Sequence, residues 1–169
     1  DFYKRILEIC MDKELDKFLK KNKIIFSLYN HKATNTVAES LKNEEINKIP
    51  GTRCKTLFLK DNFGRFYLVG LEGTKRLDIR YLEMKLGVKN LSFASHEELN
   101  EQIQIAPGNV SLLSAIRNQK VIVIADSGLE SKEKIGFHPS NNTMTCVFNI
   151  KEFIKYFNAL KNEKHLISL

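Results

Sequence analysis

Apolar positions recur along the chain with two different periods, which indicates that helices and strands are mixed. In "MDKELDKFLKKNK" (11–23), Leu15, Phe18 and Leu19 lie at positions i, i+3 and i+4, which predicts an amphipathic helix. Apolar runs rich in Val, Ile, Leu and Phe predict strands at 24–30, 55–61, 65–71, 91–94 and 120–126, and in "IGFH" and "MTCVFN". The segment "DNFG" joins the strands at 55–61 and 65–71, so they form a predicted hairpin with Gly64 in its turn.

Capping patterns predict helices between these strands. A hydroxyl residue followed three positions later by Glu satisfies the first free amides of a helix. Such pairs open the predicted helices 36–43 and 95–102: Thr36 with Glu39, and Ser95 with Glu98. Further helices are predicted at 78–87, which Gly87 ends, and from Asn149 to about residue 160. Hairpins and short connections outnumber parallel crossovers. The predicted fold class is therefore mixed α/β, one compact domain with a mostly antiparallel central sheet flanked by helices.

Length and cysteine content place limits on the class of protein. The 169 residues, 43% of them hydrophobic, can bury the core of one domain without disulfides or a structural metal. The longest apolar runs, such as "VIVIA", are too short to cross a bilayer. Three scattered cysteines (Cys10, Cys54 and Cys146) with no CxxC pair favour a reducing compartment, and we expect the cytoplasm. The chain begins at Asp1 and ends in "KNEKHLISL", from which we expect a domain excised from a larger protein.

The formal net charge of +7 is consistent with a polyanionic partner such as nucleic acid. A lysine- and asparagine-rich background composition explains the charge equally well. The sequence contains no dense tract of basic residues, so folding must assemble any basic binding face.

Several familiar sites are missing from the sequence. It contains no GxGxxG, GxxxxGK[ST], HExxH or GxSxG motif. The four histidines do not have the spacing of metal ligands. We therefore expect neither a cofactor nor a metal.

The stretch "GFHPSNNTMT" (136–145) gathers polar groups at the end of a predicted strand. His138 precedes Pro139, which cannot donate to a strand ladder and so marks an edge or a break. An imidazole at such a break can orient a substrate or carry a proton near neutral pH. With Asn142 and Thr145 it could hold a small polar ligand, although an ordinary asparagine-rich turn accounts for these residues nearly as well.

Two further segments offer chemistry. In "KTLFLKD" the pleat places Lys55 on the same face as Leu57 and Leu59, where an ammonium group can meet a phosphate; an ordinary surface lysine is the alternative. Cys54 lies between two cationic residues, which lower a thiol pKa, so a cysteine hydrolase is conceivable. In "APGNVS" (106–111), Pro107 and Gly108 predict a tight turn whose amides can donate to an oxyanion, or simply a loop.

Taken together and in order, these segments resemble a known family. "KTLFLKD", "RFYLVGL", "LDIRYLEMKLGVKNLSFAS", "EELNEQIQIAPGNVSLLSAI", "VIVIAD" and "FHPSNNTMTCVF" are similar to the YbaK/ProX-type aminoacyl-tRNA deacylases. These occur as free-standing prolyl-tRNA editing proteins and as editing domains of prolyl-tRNA synthetases. The resemblance runs from about residue 26 to about residue 157. It implies a barrel-like mixed sheet and a single editing domain over 1–169.

The resemblance also implies an activity and a site. The family hydrolyses the ester that joins a wrong amino acid, usually alanine or cysteine, to its tRNA, without metal or covalent nucleophile. The implied catalytic residues are Lys55 toward the 3′-terminal nucleotide or its phosphate, Gly108 toward the ester carbonyl, and His138 in the amino-acid pocket. The implied substrate-binding residues are His31, Thr36, Pro107, Asn142 and Thr145. The implied partners are the acceptor end of mischarged tRNA-Pro and a linked or associated prolyl-tRNA synthetase.

Three positions depart from the family pattern. Gln104 replaces a frequent glycine, Leu112 a frequent proline, and Thr56 the asparagine that commonly follows the lysine in the alanine-specific branch. The alternative function is therefore a catalytically weak accessory domain that binds tRNA or a synthetase through its basic surface.

Overall fold

A computed structural model describes residues 11–169 and shows eight strands with helices on both sides of the sheet. The first ten residues of the predicted domain, Cys10 among them, lie outside the described part. The strands are β1 (Ser27–Asn30), β2 (Thr52–Lys60), β3 (Phe66–Glu72), β4 (Ser92–Phe93), β5 (Ile122–Asp126), β6 (Lys134–Phe137), β7 (Met144–Asn149) and β8 (Lys164–Ile167).

The helices begin where the sequence offers caps. They are α1 (Lys13–Lys21), α2 (Val37–Lys42), α3 (Glu44–Asn47), α4 (Ile79–Leu86), α5 (His96–Ile103) and α6 (Ile150–Ala159), with 3-10 turns at Leu112–Arg117 and Ser127–Ser131. Ser95 and Glu98 form the predicted capping box, because each side chain accepts from the other's backbone amide. At α2, the Thr36 side chain accepts from the Glu39 amide, but the Glu39 carboxylate accepts from the Asn35 amide instead.

The sheet follows the order β1-β7-β6-β2-β3-β5-β8, with β4 attached to β2. Among the described strands, four neighbouring pairs are antiparallel and three are parallel. This confirms the predicted mixed α/β domain with a mostly antiparallel sheet. The short helix α3 and strand β8 were not predicted. β8 lies in the lysine-rich end of the chain and forms by parallel pairing with β5.

Two apolar clusters cover the two faces of the sheet. The larger one unites α1, α6 and the 3-10 turn at 112–117 with Phe58, Ile135, Phe137 and Phe148. The smaller one packs α4 against Leu57, Leu59 and the neighbouring strands. Consecutive residues of β2 therefore point into different clusters, as the pleat requires. None of the helices in the described range 11–169 is long and apolar enough to span a membrane.

The long strand β2 has three partners, and this arrangement positions the site. Thr52 and Arg53 pair in parallel with β6, and Leu59 and Lys60 pair with β4 on the same side. Between them, no strand in the described part pairs with that edge of Cys54–Leu57. β6 ends at Phe137 while β2 continues to Lys60, so a gap opens beside this part of β2.

Candidate functional site

A cavity of about 290 Å³ occupies the gap between β2 and β6. Residues 53–57 of β2 form one wall, and residues 136–138 with Thr145 of β7 form the opposite wall. The rim comes from the segment before α2 and from α2 and α3, while the loop at 108–111 closes the remaining side: Thr34, Asn35, Thr36, Ser40, Ile46, Gly108, Val110 and Ser111.

Lys55 and His138 line this cavity from opposite walls. Arg53 of β2 pairs in parallel with Gly136 of β6, so their side chains belong to the same face of the sheet. Lys55 lies two residues after Arg53, and His138 lies two residues after Gly136. Both line the cavity, one from each wall. Within residues 11–169, the Lys55 side chain makes no hydrogen bond or ion pair. Its ammonium group is therefore available to a ligand.

The hydrogen bonding of His138 fixes its tautomer. Its Nδ1 lies 2.8 Å from the carbonyl oxygen of Met144. A carbonyl can only accept, so Nδ1 carries the proton and Nε2 bears a lone pair in the neutral ring. Burial lowers the pKa of His138; the bond to Met144 opposes this shift, and the nearby His31 ring adds to it. At neutral pH, Nε2 is therefore a hydrogen-bond acceptor at the cavity wall.

The His31 ring lies next to the His138 ring, and Thr145 is hydrogen-bonded to His31. The ring centroids of His31 and His138 lie 5.8 Å apart. His31 donates from Nδ1 to the Lys32 carbonyl at 2.8 Å, and in the neutral ring Nε2 accepts from the Thr145 hydroxyl at 3.0 Å. His31 is buried and does not line the cavity, whereas Thr145 does. The Thr145 methyl also packs against Gly136, where an added Cβ would lie 2.9 Å from Thr145 Cγ2.

The loop at 106–111 presents backbone amides to the cavity. Gly108 has a φ of +86°, which closes the turn that "PG" predicts. The amides of Gly108 and Val110 have no hydrogen-bond partner among the described residues, and both residues line the cavity. Free amides in this position can donate to a developing oxyanion. Pro107 lies outside the lining and shapes the turn next to Gly108.

Asn142 lies outside the cavity lining and bonds to its rim. Its side-chain amide donates to the Thr34 carbonyl at 3.3 Å and to Asn35 Oδ1 at 3.1 Å. An added Cβ on Gly108 would lie 3.7 Å from the same Asn35 oxygen. The asparagine-rich loop, the rim and the 106–111 loop therefore meet at Asn35. Thr36 lines the rim, where its hydroxyl is used to cap α2.

Cys54 lines the cavity but lacks the chemistry of a nucleophile. Burial raises the pKa of its thiol far above the ordinary value, and the thiol donates to the Thr52 carbonyl at 3.7 Å. A protonated thiol is a poor nucleophile, so the arrangement speaks against the cysteine hydrolase.

Sequence reasoning missed Arg53 and the α2–α3 side of the cavity. Arg53 lines the cavity, and its guanidinium donates to Ser40 Oγ at 3.0 Å and to Asn47 Oδ1. The short helices α2 and α3 carry few apolar positions that mark a packed face, so apart from Thr36 nothing in the sequence indicated that they cover a site. The signal that could have found Arg53 was its i, i+2 spacing from Lys55.

Two of the three departures from the family pattern have structural roles. Leu112 is buried against Gly70 of β3, where an added Cβ would lie 2.8 Å from Leu112 Cδ2. Its carbonyl also accepts from the Tyr156 hydroxyl at 3.0 Å, which anchors the loop at 106–111 to the core. Gln104 ends α5 with a φ of +53°, in the left-handed region that favours glycine.

Comparisons with known proteins agree with this geometry. The model of the aminoacyl-tRNA editing domain family matches residues 31–156. The chain is 29% identical to the prolyl-tRNA editing protein ProX of Acetoanaerobium sticklandii over 154 residues, covering 89% of this chain and 93% of that protein. It is 25% identical to prolyl-tRNA synthetase associated domain-containing protein 1 of Danio rerio, covering 96% of this chain and 90% of that protein.

Solved structures show the same fold. The structure of the hypothetical protein APE2540 superposes with a TM-score of 0.74 at 22% identity, covering 91% of this chain and 98% of that one. A protein described as a candidate trans-editing enzyme for prolyl-tRNA synthetase gives a TM-score of 0.70 at 17% identity, covering 93% and 96%. Because the family model spans well over half of the chain, this protein belongs to the aminoacyl-tRNA editing domain family and is an aminoacyl-tRNA deacylase.

Proposed function

We propose that this domain hydrolyses the ester of mischarged tRNA-Pro in the cytoplasm, with alanine as the preferred amino acid and cysteine as a second substrate. The observation that carries the proposal is that Lys55 and His138 face each other across one cavity whose third side carries free amides. Two relatives, the ProX protein and the zebrafish protein, carry names that refer to prolyl-tRNA editing and to prolyl-tRNA synthetase. We further propose that this domain acts in association with, or linked to, such a synthetase.

A separate hydrolytic pocket is useful because a proline site cannot exclude a smaller amino acid by size. A missing methylene changes binding by only ~1–3 kcal/mol, which is too little for accurate translation. A second cavity that admits alanine and excludes the larger proline ring removes the error after it is made. The cavity here lies between two strands whose pairing ends at Arg53.

The residues that line the cavity match the needs of ester hydrolysis. The Lys55 ammonium binds a phosphate of the tRNA acceptor end and fixes the ester in the cavity. The amides of Gly108 and Val110 donate to the carbonyl oxygen, which becomes negative when water attacks. The neutral Nε2 of His138 accepts a hydrogen bond from the attacking water and orients it toward the carbonyl carbon. The proton that the attacking water loses is transferred to the ribose oxygen, which leaves as a hydroxyl group when the tetrahedral intermediate collapses. This frees the amino acid and restores the tRNA.

Single-turnover deacylation of Ala-tRNA-Pro and Cys-tRNA-Pro tests the proposal. We expect Lys55→Ala to abolish most of the activity, because the cavity then loses the ammonium group that has no other partner among the described residues. Lys151→Ala is the matched control. Lys151 is exposed on α6, which packs on the opposite face of the sheet through the Phe137–Phe153 ring contact at 5.5 Å. This control removes the same charge and should retain the wild-type rate.

The outcomes separate the competing functions. Loss of hydrolysis in Lys55→Ala with retention in Cys54→Ala supports the proposal. Binding of every mischarged tRNA without hydrolysis of any supports the accessory tRNA-binding domain instead. Faster hydrolysis of another aminoacyl ester than of either tRNA-Pro ester would refute the substrate assignment.

A further inference from the structure

Arg53 is a second cation in the cavity wall, and its charge has no acidic partner. Its guanidinium donates to two neutral acceptors, Ser40 Oγ at 3.0 Å and Asn47 Oδ1. Among the described residues, neither Arg53 nor Lys55 forms a salt bridge. Other cations of the described chain do pair with carboxylates: Lys60 with Glu98 at 2.6 Å, Arg65 with Asp61 at 2.7 Å, Lys75 with Asp126 at 2.7 Å and Lys132 with Glu72 at 2.9 Å.

Arg53 adds a second positive charge to the cavity wall that carries Lys55. Arg53 and Lys55 are two residues apart on β2, so the pleat directs both side chains to the same face. Both line the cavity beside the gap where β2 leaves β6. Like charges held this close repel each other, and an anion bound between them relieves the repulsion. Both cations therefore lie in the cavity wall without a carboxylate partner among the described residues. An anionic ligand would neutralise their charge.

The contacts of Arg53 leave part of its guanidinium free. The group has five N–H donors, of which two are used on Ser40 and Asn47. Ser40 belongs to α2 and Asn47 follows on α3, so the two helices hold the planar group from one side. A planar guanidinium whose position is fixed in this way can donate two parallel hydrogen bonds to a phosphate.

We propose that Arg53 binds the phosphate that joins the terminal adenosine to the preceding nucleotide, together with Lys55. Ser40 and Asn47 are positioning residues that hold the guanidinium. This inference rests on the proposed function, because it needs an RNA 3′ end in the cavity. It differs from a purely structural role, in which Arg53 only fastens α2 and α3 to the sheet.

Two non-hydrolysable probes separate these roles: 3′-alanylamido-3′-deoxyadenosine with and without a 5′-phosphate. Calorimetry should show that the wild type binds the phosphorylated probe about tenfold or more tightly, as expected for charge-assisted hydrogen bonds. Arg53→Gln should lose most of this preference and bind the unphosphorylated probe as the wild type does. Arg80→Gln is the control, because Arg80 is an exposed arginine of α4 that lies outside the cavity lining.

The salt dependence of binding supplies a second measurement. Arg53→Lys keeps the positive charge and serves as a further variant in case Arg53→Gln does not fold. For a tRNA acceptor-stem microhelix, the slope of log K against log salt should decrease in magnitude by about 0.7 in Arg53→Gln. It should stay near the wild-type value in Arg53→Lys. Asn47→Ala, which keeps the cation and removes one anchor, should retain more of the phosphate preference than Arg53→Gln.

Two results would overturn the inference. If Arg53→Gln and Asn47→Ala each weaken the binding of both probes by the same factor, Arg53 only fastens the helices. An intact phosphate preference in Arg53→Gln, lost in Lys55→Ala, would assign the phosphate to Lys55 alone. If the wild type binds neither probe and hydrolyses no mischarged tRNA-Pro, the proposed function itself fails, which is a distinguishable outcome.

Discussion

Replacing Thr56 by valine should make the domain more stable. Thr56 follows Lys55 on β2, and its side chain points to the opposite face, on the side of Phe58 and the larger apolar cluster. Its Oγ1 is buried and has no hydrogen-bond partner in the described part of the chain. The unfolded chain solvates this hydroxyl, and the folded chain does not. Valine has nearly the same shape and buries a methyl group in its place.

The size of the effect follows from the cost of burying an unsatisfied hydroxyl. Mutational data place that cost at about 1–3 kcal/mol, so we expect the free energy of unfolding to rise by about 1–2 kcal/mol in Thr56→Val. A urea slope of about 2 kcal/mol per molar, in the middle of the usual range, then gives a midpoint increase of about 0.5–1 M. Thr56 also lines the cavity, but the pleat directs its side chain to the face opposite that of Lys55, so the deacylation rate should remain close to that of the wild type.

Urea denaturation followed by circular dichroism measures this change. Thr56→Ser is the matched control, since it keeps the hydroxyl, removes only the methyl group and should lower the midpoint. A midpoint in Thr56→Val that equals or falls below that of the wild type would refute the reasoning. It would show that an ordered water satisfies the hydroxyl in the folded protein.

Three further predictions concern the loop, its anchor and the imidazole. Gln104→Gly should raise the free energy of unfolding by up to about 1 kcal/mol, because glycine adopts the left-handed conformation at φ +53° without a Cβ clash; an unchanged melting temperature would contradict this. Tyr156→Phe should lower it by about 1–3 kcal/mol in urea denaturation, because the buried Leu112 carbonyl loses its donor, whereas an unchanged midpoint would mean that another group replaces it. The folded pKa of His138 is depressed, so its contribution to stability is complete above the usual value of 6.5 and is lost as pH falls through the folded pKa. His138→Gln should therefore lose less stability than the wild type on acidification from pH 7. Equal slopes of the free energy of unfolding against pH in the two proteins would show that His138 is not the origin of the loss.

Local signals in the sequence determined most of the secondary structure. The spacing of Leu15 and Leu19 predicts a helix with one buried face, and both side chains are fully buried in α1. The pair Ser95 and Glu98 forms its capping box within four residues of chain, so no distant contact is needed. The hairpin around Gly64 likewise depends on the turn and on two apolar strands that adjoin it.

Long-range pairing decided the elements that the sequence did not reveal. "KHLI" (164–167) has little β character of its own, and it becomes β8 because the edge of β5 offers it a parallel partner. The resemblance to a family pointed to Lys55, Gly108 and His138 as separate residues. The sequence could not show that these residues border one cavity, since this depends on β2 pairing with β6 at only two residues.

The sequence by itself determined which residues can bind or polarise an ester, because these properties belong to the side chains and to short turns. Only the tertiary structure decided which of them act together. It placed Arg53 beside the cavity without an acidic partner, buried the Thr56 hydroxyl without a hydrogen-bond partner, and kept the Cys54 thiol protonated. The physical reason is that charge compensation, burial and solvation depend on neighbours that are far apart in the sequence. Gly136 and His138, for example, come next to Arg53 and Lys55 only when two parallel strands pair and then diverge.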